Sequence, residues 1–582
     1  MKKIVLLAIV TYFLIAPFTY HPDTKLTLRY PALENGRVWD IYGYIENHKL
    51  DIPDFHYPIS KIFGGKGFDA WLSSGSAQAS FEVNTLRYNL AAKLPLLLLG
   101  LVSGWLIFLI VKKSTDSVDK GKLAAILWYF NPVTLYCVVM MGQNDIVAIF
   151  LFLLGILFYE KWWLTVLLWG VASGVKNYPI IWAIMFLLVW EKSIYKLFLK
   201  AISLVGVYGL ILLPWLGKTY FIQAVLNSGL SQRMFIANIP IGFEKQIVVV
   251  PMLLIVVALN AWRGKIKNKM FLASLTIFQS CLVILGFSHF NPQWMLWAVP
   301  FLSIWWPIAG VNQYEMLAIF TIFIVWLGLV LGFDDRYITW GLFTPMSPGL
   351  INFPSLVEFV KNKGGSMIGF INLCQSVMAG VSIWFLSRQF KTKEYFCKNI
   401  KIGNRLIFIP WFFVMFLIIF LNIFAVENKT NSQTVGKEVY LNELIGKRWQ
   451  YVVRYNLKYF DVSLDNPGLN SRDEGILTVI DNKGNKFEKE FSGYNAGANS
   501  WVRVDVPKSM SESNTITLEL KDVVIADGLL KVRLDSDNRW AVNFYNWGKP
   551  SLGEMTSKLF VFWWWWVLVA GISVLYLKGK KD

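Results

Sequence analysis

The chain has 582 residues, of which 55% are hydrophobic and only 16% are charged. A soluble domain carries about 25% charged residues, so this composition excludes an ordinary water-soluble protein. Aromatic residues make up 16%, with 27 Trp and 43 Phe, which excludes a disordered chain. The net charge is +18, from 56 basic and 38 acidic residues. In a membrane protein such an excess indicates cytoplasmic loops before it indicates nucleic-acid binding.

Apolar runs recur along the chain at the length of transmembrane helices. A spanning helix needs roughly 20 apolar residues, and about fourteen runs reach or approach this length, from Ile4–Tyr20 to Leu559–Leu577. Several runs in the middle are shorter than a full span. The first run lacks a small-residue cleavage site, so a retained helix is favoured over a signal peptide. The sequence therefore predicts a polytopic α-helical membrane protein with about 12–14 transmembrane helices.

The positions of Lys and Arg predict one orientation from end to end. With the N-terminus inside, the outward segments are His21–Tyr88, Gly217–Gln246, Gly332–Gly365 and Glu427–Ser557. This predicts a multi-pass plasma-membrane protein with both termini cytoplasmic. The inside segments contain Lys112, Lys113, Lys120, Lys122, Lys192, Lys196, Lys200, Arg263, Lys265, Lys267, Lys269, Arg388, Lys391, Lys393, Lys398, Lys401, Arg405, Lys578, Lys580 and Lys581.

The last outward segment has the pattern of a separate β domain. Apolar and polar residues alternate at period two, as in Val502–Val506 and Ile516–Leu520, and Asp481–Asn485 is typical of a hairpin turn. About eight such strands predict an extracytoplasmic β-sandwich or jelly roll. The predicted parts are a transmembrane core at 1–390, a basic loop and helix at 391–426, the β domain at 427–557, and a helix with a basic tail at 558–582.

Two carboxylates are candidates for chemistry, because ionisable residues at the ends of membrane helices are often functional. Asp40 lies early in the first outward loop, where it could accept a proton from a hydroxyl; the alternative is a helix cap or a solvated charge. Asp145 closes Gly142-Gln143-Asn144-Asp145, directly before an apolar helix. Function and helix capping are equally good interpretations of Asp145. The lone acidic pair Asp334-Asp335 is a weak metal signal, and the four Cys have no metal-type spacing.

Outward histidine and cations form the second group of candidates. His289 lies between two apolar runs and could act as an acid, a base or a phosphate partner, or be an ordinary interfacial His. Trp294 and Trp297, beside it, are interpreted as aromatic-belt residues at the membrane surface. The outward cations near membrane ends could bind phosphate or extend to lipid headgroups. These cations are Lys176, Arg87, Lys93 and Arg233.

Three stretches of the chain resemble a known enzyme superfamily. Trp128–Asp145 and Trp169–Pro179 are similar to segments of the polyprenyl-phosphate-dependent glycosyltransferases of the GT-C superfamily, the second to its bacterial and archaeal members. His289–Trp297 resembles a segment of the catalytic subunit of GPI mannosyltransferase I and its prokaryotic relatives. The resemblance covers roughly residues 1–390. It implies a base in the first outward loop, which Asp40 matches with Tyr42 close by.

The resemblance also implies roles for the other candidates. Asp145 matches a second acidic residue, and His289 matches a position where related mannosyltransferases have a functional His. The lipid phosphate would be bound by Lys176, Arg87 and Arg233, in falling order. The first outward loop has no D-x-D or E-x-D, so no divalent metal and no bound cofactor are expected.

The expected activity is therefore the transfer of a sugar, with mannose favoured, from a polyprenyl-phosphate donor to a hydroxyl of a lipid-linked or cell-envelope glycan. Direct attack would invert the anomeric configuration. The expected partners are membrane lipids, donor and acceptor, and not nucleic acid. In the β domain, Tyr545 and Trp547 could stack on a sugar, or cover the membrane surface or the core. The alternative functions are a transporter or flippase of lipid-linked saccharides, and a scaffold for envelope assembly.

Overall fold

The computed structural model describes residues 1–33, 56–73, 85–218, 221–222, 233–264, 268–289, 291–333, 335–345, 355–388, 427–430, 435–453, 457–465, 471, 473–492, 500–510 and 512–547. They divide into two compact units. The first contains residues 1–15, the described residues from Lys93 to Thr339, and those from 355 to 388. The second contains Ala16–Ala92, 340–345 and the β-rich region, as far as these residues are described. The predicted helices at Leu406–Ala425 and Leu559–Leu577 lie outside the described residues.

Most of the described helices follow the apolar runs of the sequence, but those at Pro22–Leu33, Tyr57–Gly64, Phe68–Ser73 and Leu356–Asn362 lie in predicted outward segments. The described helices are α1 Lys2–Ile15, α2 Pro22–Leu33, α3 Tyr57–Gly64, α4 Phe68–Ser73, α5 Thr85–Thr115, α6 Val118–Tyr129, α7 Pro132–Met140, α8 Asp145–Leu157, α9 Trp162–Val175, α10 Pro179–Trp190, α11 Ile194–Leu212, α12 Val249–Arg263, α13 Lys269–Phe287, α14 Val299–Ala309, α15 Gln313–Leu331, α16 Leu356–Asn362 and α17 Ile368–Arg388. Pro292–Trp297 forms a 3₁₀ segment between α13 and α14.

Several of these helices are long and apolar enough to cross a membrane. In the described part of the chain five pass this test, within α5, α11, α13, α15 and α17, and α6 with α7 makes a sixth if the bent pair is one span. Helices α8, α9, α10 and α12 are apolar but shorter, at 10–17 residues. The long apolar helices indicate a membrane-embedded protein. The total of about 12–14 spans stays a prediction.

The break between α6 and α7 has a local cause and positions the residues that follow. The Asn131 side chain accepts a hydrogen bond from the Val133 amide at 2.9 Å, and Pro132 begins the new helix without an N–H to leave unpaired. The two helices meet at an angle of 46°. After α7, Gly142 has a φ of 69°, which favours glycine, and the chain turns into α8 at Asp145.

The β-rich region predicted at the C-terminal end is confirmed. Its strands are β3 Glu427–Thr430, β4 Val435–Tyr440, β5 Arg448–Val452, β6 Leu457–Asp465, β7 Glu474–Asp481, β8 Lys486–Ser492, β9 Ser500–Asp505, β10 Thr515–Val524, β11 Lys531–Asp535 and β12 Val542–Trp547. A four-stranded antiparallel sheet has the order β5–β10–β7–β8, and a six-stranded sheet has the order β3–β12–β6–β11–β4, with β9 also paired to β6. In the first unit, β1 Asn238–Gly242 and β2 Lys245–Val248 form a separate antiparallel hairpin.

The two larger sheets share one hydrophobic core. Trp540 packs edge-on against Trp449 at 5.7 Å between ring centroids, and Tyr451 packs against Phe544 at 5.5 Å. The predicted turn at Asp481–Asn485 is confirmed, since it joins the antiparallel strands β7 and β8. The Asp481 carboxylate accepts from the amides of Lys483 and Asn485 at 2.8 Å, which closes the turn.

A buried carboxylate fixes the loop between β10 and β11. Asp473 is fully buried and accepts hydrogen bonds from four backbone N–H groups in Ala526–Leu530, at 2.8–3.1 Å. Burial alone would raise the pKa of Asp473, but these N–H groups favour the charged form and lower it to about 2. The loop is therefore attached through an ionised side chain.

Candidate functional site

Three stretches that lie far apart in the sequence meet at one buried carboxylate in the first unit. The Trp297 indole N–H donates to Asp145 Oδ1 at 2.7 Å. The Tyr178 ring stacks on Trp297 with centroids 4.1 Å apart, and the Tyr178 hydroxyl donates to the Asp145 backbone carbonyl at 3.2 Å. The turn before α8, the turn before α10 and the 3₁₀ segment before α14 therefore form one site.

The position of Asp145 explains how a carboxylate is tolerated there. It is the first residue of α8, where the partial positive charge of a helix N-terminus favours an anion. Its side chain is only 3% exposed, so the charge needs a partner inside the protein. That partner is Trp297, on another segment, rather than a first-turn amide of α8. The Asp145 side chain is therefore bonded across the fold to the 3₁₀ segment and not to an amide of its own helix.

A continuous aromatic stack leads to this carboxylate. Trp294 is half-buried and stacks on Trp297 at 5.0 Å and 19°. Trp297 stacks in turn on Tyr178, and Tyr178 contacts Trp182 at 4.6 Å. The interpretation of Trp297 as an aromatic-belt residue is wrong, because its ring is buried and its N–H is bonded to Asp145. Of these four rings only Trp294, at the outer end of the stack, is not buried, so its ring is the one that suits the apolar C–H face of a sugar.

Two groups that can carry a positive charge lie near the start of the 3₁₀ segment that contains Trp297. Arg233 donates through Nη1 to the Asn291 side-chain carbonyl at 3.0 Å, which attaches it to the segment that contains Trp297. His289 is exposed two residues earlier in the chain. Partial burial and the positive charge of Arg233 lower the pKa of His289. An anion bound beside both groups would reverse this effect and favour the imidazolium, so the pair suits a phosphate.

The other predicted site residues have a less direct relation to Asp145. Lys176 is half-buried and lies two residues before Tyr178, with its backbone N–H bonded to Ala172. Arg87 is exposed and belongs to the second unit, where its guanidinium lies against Gly65. Asp40 and Tyr42 lie outside the described residues, as do the side chains of Tyr545 and Trp547, whose backbone forms β12.

The burial of Lys93 and its hydrogen bond inside the fold were not predicted from the sequence. This side chain is fully buried in α5, and its Nζ donates to the Met140 carbonyl at 2.5 Å. The interpretation of Lys93 as a cation that extends to lipid headgroups is therefore wrong. The residue bonds to the end of α7, just before the turn that contains Asp145. The sequence did contain a signal for this burial, because Lys93 is followed directly by a long apolar run and lies inside the helix that this run forms.

No family model and no curated protein matches this chain. Three features of the site's own residues determine its chemistry. They are a buried carboxylate with a fixed donor, a stack of aromatic rings, and a cationic edge formed by Arg233 and His289.

Proposed function

We propose that the protein is a membrane glycosyltransferase that moves a sugar, with mannose favoured, from a polyprenyl-phosphate carrier to a hydroxyl of a lipid-linked or cell-envelope glycan. The observation that carries this proposal is the convergence on Asp145 of the three stretches that resemble GT-C enzymes. The first and the third of these stretches lie more than a hundred residues apart in the chain. Their meeting at one carboxylate supports a common function.

The direction of the helices supports a site on the extracytoplasmic side. Helix α10 begins beside Tyr178 and ends at Trp190, whose carbonyl accepts from Lys269 at 3.1 Å. Helix α13 begins at Lys269 and ends two residues before His289. At 1.5 Å per residue these helices are about 18 Å and about 28 Å long. The site and the predicted cytoplasmic cations thus lie at opposite ends of the same two helices.

The proposed reaction is a single displacement. An acceptor hydroxyl attacks the anomeric carbon, and the bond from that carbon to the phosphate oxygen breaks, with its electron pair leaving on the phosphate. Asp40 takes the hydroxyl proton, and the configuration inverts. Asp145, buried behind Trp297, contributes a fixed negative charge that stabilises the positive charge developing on the sugar. Arg233, His289 and Lys176 stabilise the negative charge that the leaving phosphate gains.

The test is glycosyl transfer by the purified protein in nanodiscs. A synthetic polyprenyl-phosphate mannose and a lipid-linked glycan acceptor are supplied, and the product is measured by mass spectrometry. Asp40→Asn should lower the rate by about 10²–10⁴ if Asp40 is the base. Asp145→Asn should also lower it, whereas Asp119→Asn, at a 90% exposed side chain, should not. Near-normal turnover in Asp40→Asn and Asp145→Asn would remove both assignments.

A transporter or flippase of lipid-linked saccharides is the second candidate. The bent pair α6 and α7 favours it, because broken helices form substrate sites in many transporters. The same lipid in sealed vesicles separates the two functions. A transporter would move the lipid-linked sugar between leaflets without any new glycosidic bond, and a scaffold would do neither.

The β-rich region is proposed to be an extracytoplasmic β-sandwich that covers the membrane surface or the core, or binds glycan through Tyr545 and Trp547. Deleting it separates these roles. Retained transfer with altered acceptor preference supports glycan binding.

A further inference from the structure

A basic cavity lies at the end of the first unit that is remote from Asp145. It has a volume of about 590 Å³ and is formed where α10 and α12 end and α13 begins. Three of its lining residues are cations and three others are large apolar residues. These six are Lys192, Arg263 and Lys269, with Val189, Trp262 and Leu272.

The two lysines of the cavity are anchored by hydrogen bonds to backbone carbonyls near helix ends. Lys192 Nζ donates to the Trp262 carbonyl at 2.9 Å and to the Ala261 carbonyl at 3.4 Å, and Lys269 Nζ donates to the Trp190 carbonyl at 3.1 Å. Each therefore binds at or near the negative end of a helix, and an ammonium group has three N–H donors in all. Burial and the positive charge of Lys269 lower the pKa of Lys192. Like charges are thus brought close together, which an anion would relieve.

None of the described residues that line the cavity is acidic. Glu191, which directly precedes Lys192 in the sequence, is engaged elsewhere: its Oε1 pairs with Lys200 Nζ at 2.6 Å and accepts from the Tyr159 hydroxyl. No carboxylate among the described lining residues therefore offsets the three positive charges. An anion with several acceptor oxygens, such as a phosphate group, matches three cations in the lining of one cavity.

The surface of α12 indicates where that phosphate comes from. Ile255 and Leu259 precede Arg263 at intervals of four residues, so the three side chains lie on one face of the helix. Ile255 is 60% exposed and Leu259 is 56% exposed. In a membrane-embedded helix such a face contacts acyl chains. A lipid whose chain follows Ile255 and Leu259 would have its headgroup at Arg263.

We propose that this cavity binds the phosphate group of an anionic phospholipid of the surrounding bilayer. Basic pockets between membrane helices on the cytoplasmic side commonly bind such headgroups. The proposal does not rest on glycosyl transfer, and its test needs no activity measurement.

The test places the full-length protein in nanodiscs that contain phosphatidylcholine and phosphatidylglycerol, and native mass spectrometry counts the lipids retained after release. The wild type should retain phosphatidylglycerol in preference. Arg263→Gln should weaken this retention about fivefold, the effect of one cation near an anionic lipid, and Arg263→Lys should preserve most of it. Arg263 is exposed, so the variants should fold, which the unfolding temperature checks.

The matched control is Lys196→Gln, which removes one charge from a predicted cytoplasmic segment but does not line the cavity. Equal losses in Arg263→Gln and Lys196→Gln, or no lipid preference in the wild type, would overturn the proposal. A second arm adds inorganic phosphate to protein in phosphatidylcholine nanodiscs. Stabilisation by phosphate that is lost in Arg263→Gln would assign the cavity to a soluble anion and reject the lipid. An unchanged unfolding temperature, together with selective lipid retention, supports the lipid.

Discussion

Replacing Trp297 by Phe tests the contact on which the candidate site depends. The change removes the indole N–H that donates to the Asp145 carboxylate at 2.7 Å, and it keeps an aromatic ring between Tyr178 and Trp294. Asp145 is only 3% exposed, so water cannot replace the lost donor unless the site opens. We therefore expect Trp297→Phe to destabilise the protein and to release the carboxylate from its present orientation.

The magnitude follows from the charge of the acceptor. A hydrogen bond to a charged group contributes about 1.5–3 kcal/mol, against about 1 kcal/mol for a neutral pair. The smaller ring also loses apolar contact, so the single variant alone overstates the hydrogen bond. A double-mutant cycle with Asp145→Leu isolates it, because leucine removes the acceptor at similar volume. We expect a coupling energy of about 1.5–3 kcal/mol, and a loss of about tenfold or more in kcat/KM if Asp145 serves glycosyl transfer.

The assay is equilibrium unfolding in mixed micelles, followed by circular dichroism for the wild type, both single variants and the double variant. Trp294→Phe is the control, since Trp294 stacks on the same ring at 5.0 Å but its indole does not donate to Asp145. A coupling energy within about 0.5 kcal/mol of zero would refute the reasoning. So would an equal destabilisation by Trp294→Phe.

Two further predictions concern stability elsewhere in the molecule. Asp473→Asn should destabilise the β-rich region by about 2 kcal/mol at neutral pH, from the fall in pKa from 3.8 to about 2, and hydrogen exchange at the amides of Ala526–Leu530 measures it. Because the folded-state pKa is the lower one, the wild-type advantage is complete above pH about 5 and is lost as the pH falls through about 2; an advantage that persists below that pH contradicts the assignment. Gly286→Ala should lower stability to thermal unfolding by about 1–3 kcal/mol, because the new Cβ would meet the Ala379 Cα at 3.0 Å. Gly380→Ala, with nothing within 4 Å, should not, and equal effects of the two changes would exclude close packing as the cause.

Local pattern predicts the β-rich region better than the membrane part. Period-two alternation predicts strands because one face of a sheet is buried and the other is not, and the Asp481–Asn485 turn closes through its own side chain. In a membrane helix, apolar residues face lipid and protein alike, so hydropathy does not indicate which face packs. For this reason Lys93 and Trp297, both interpreted as surface residues, are found buried.

Polar residues within apolar runs determine the site, and their pairing is the part that the sequence leaves open. A buried charge or N–H without a partner is costly in hydrocarbon, so each must reach a group on another segment. Lys93 reaches the Met140 carbonyl, and Trp297 reaches Asp145. For each donor the sequence offers several acceptors at a similar distance from the ends of the apolar runs. Composition alone therefore does not predict which acceptor is used. The acceptor that is used depends on the break at Asn131-Pro132. This break turns α7 away from α6 by 46° and places Asp145 next to the ring of Trp297.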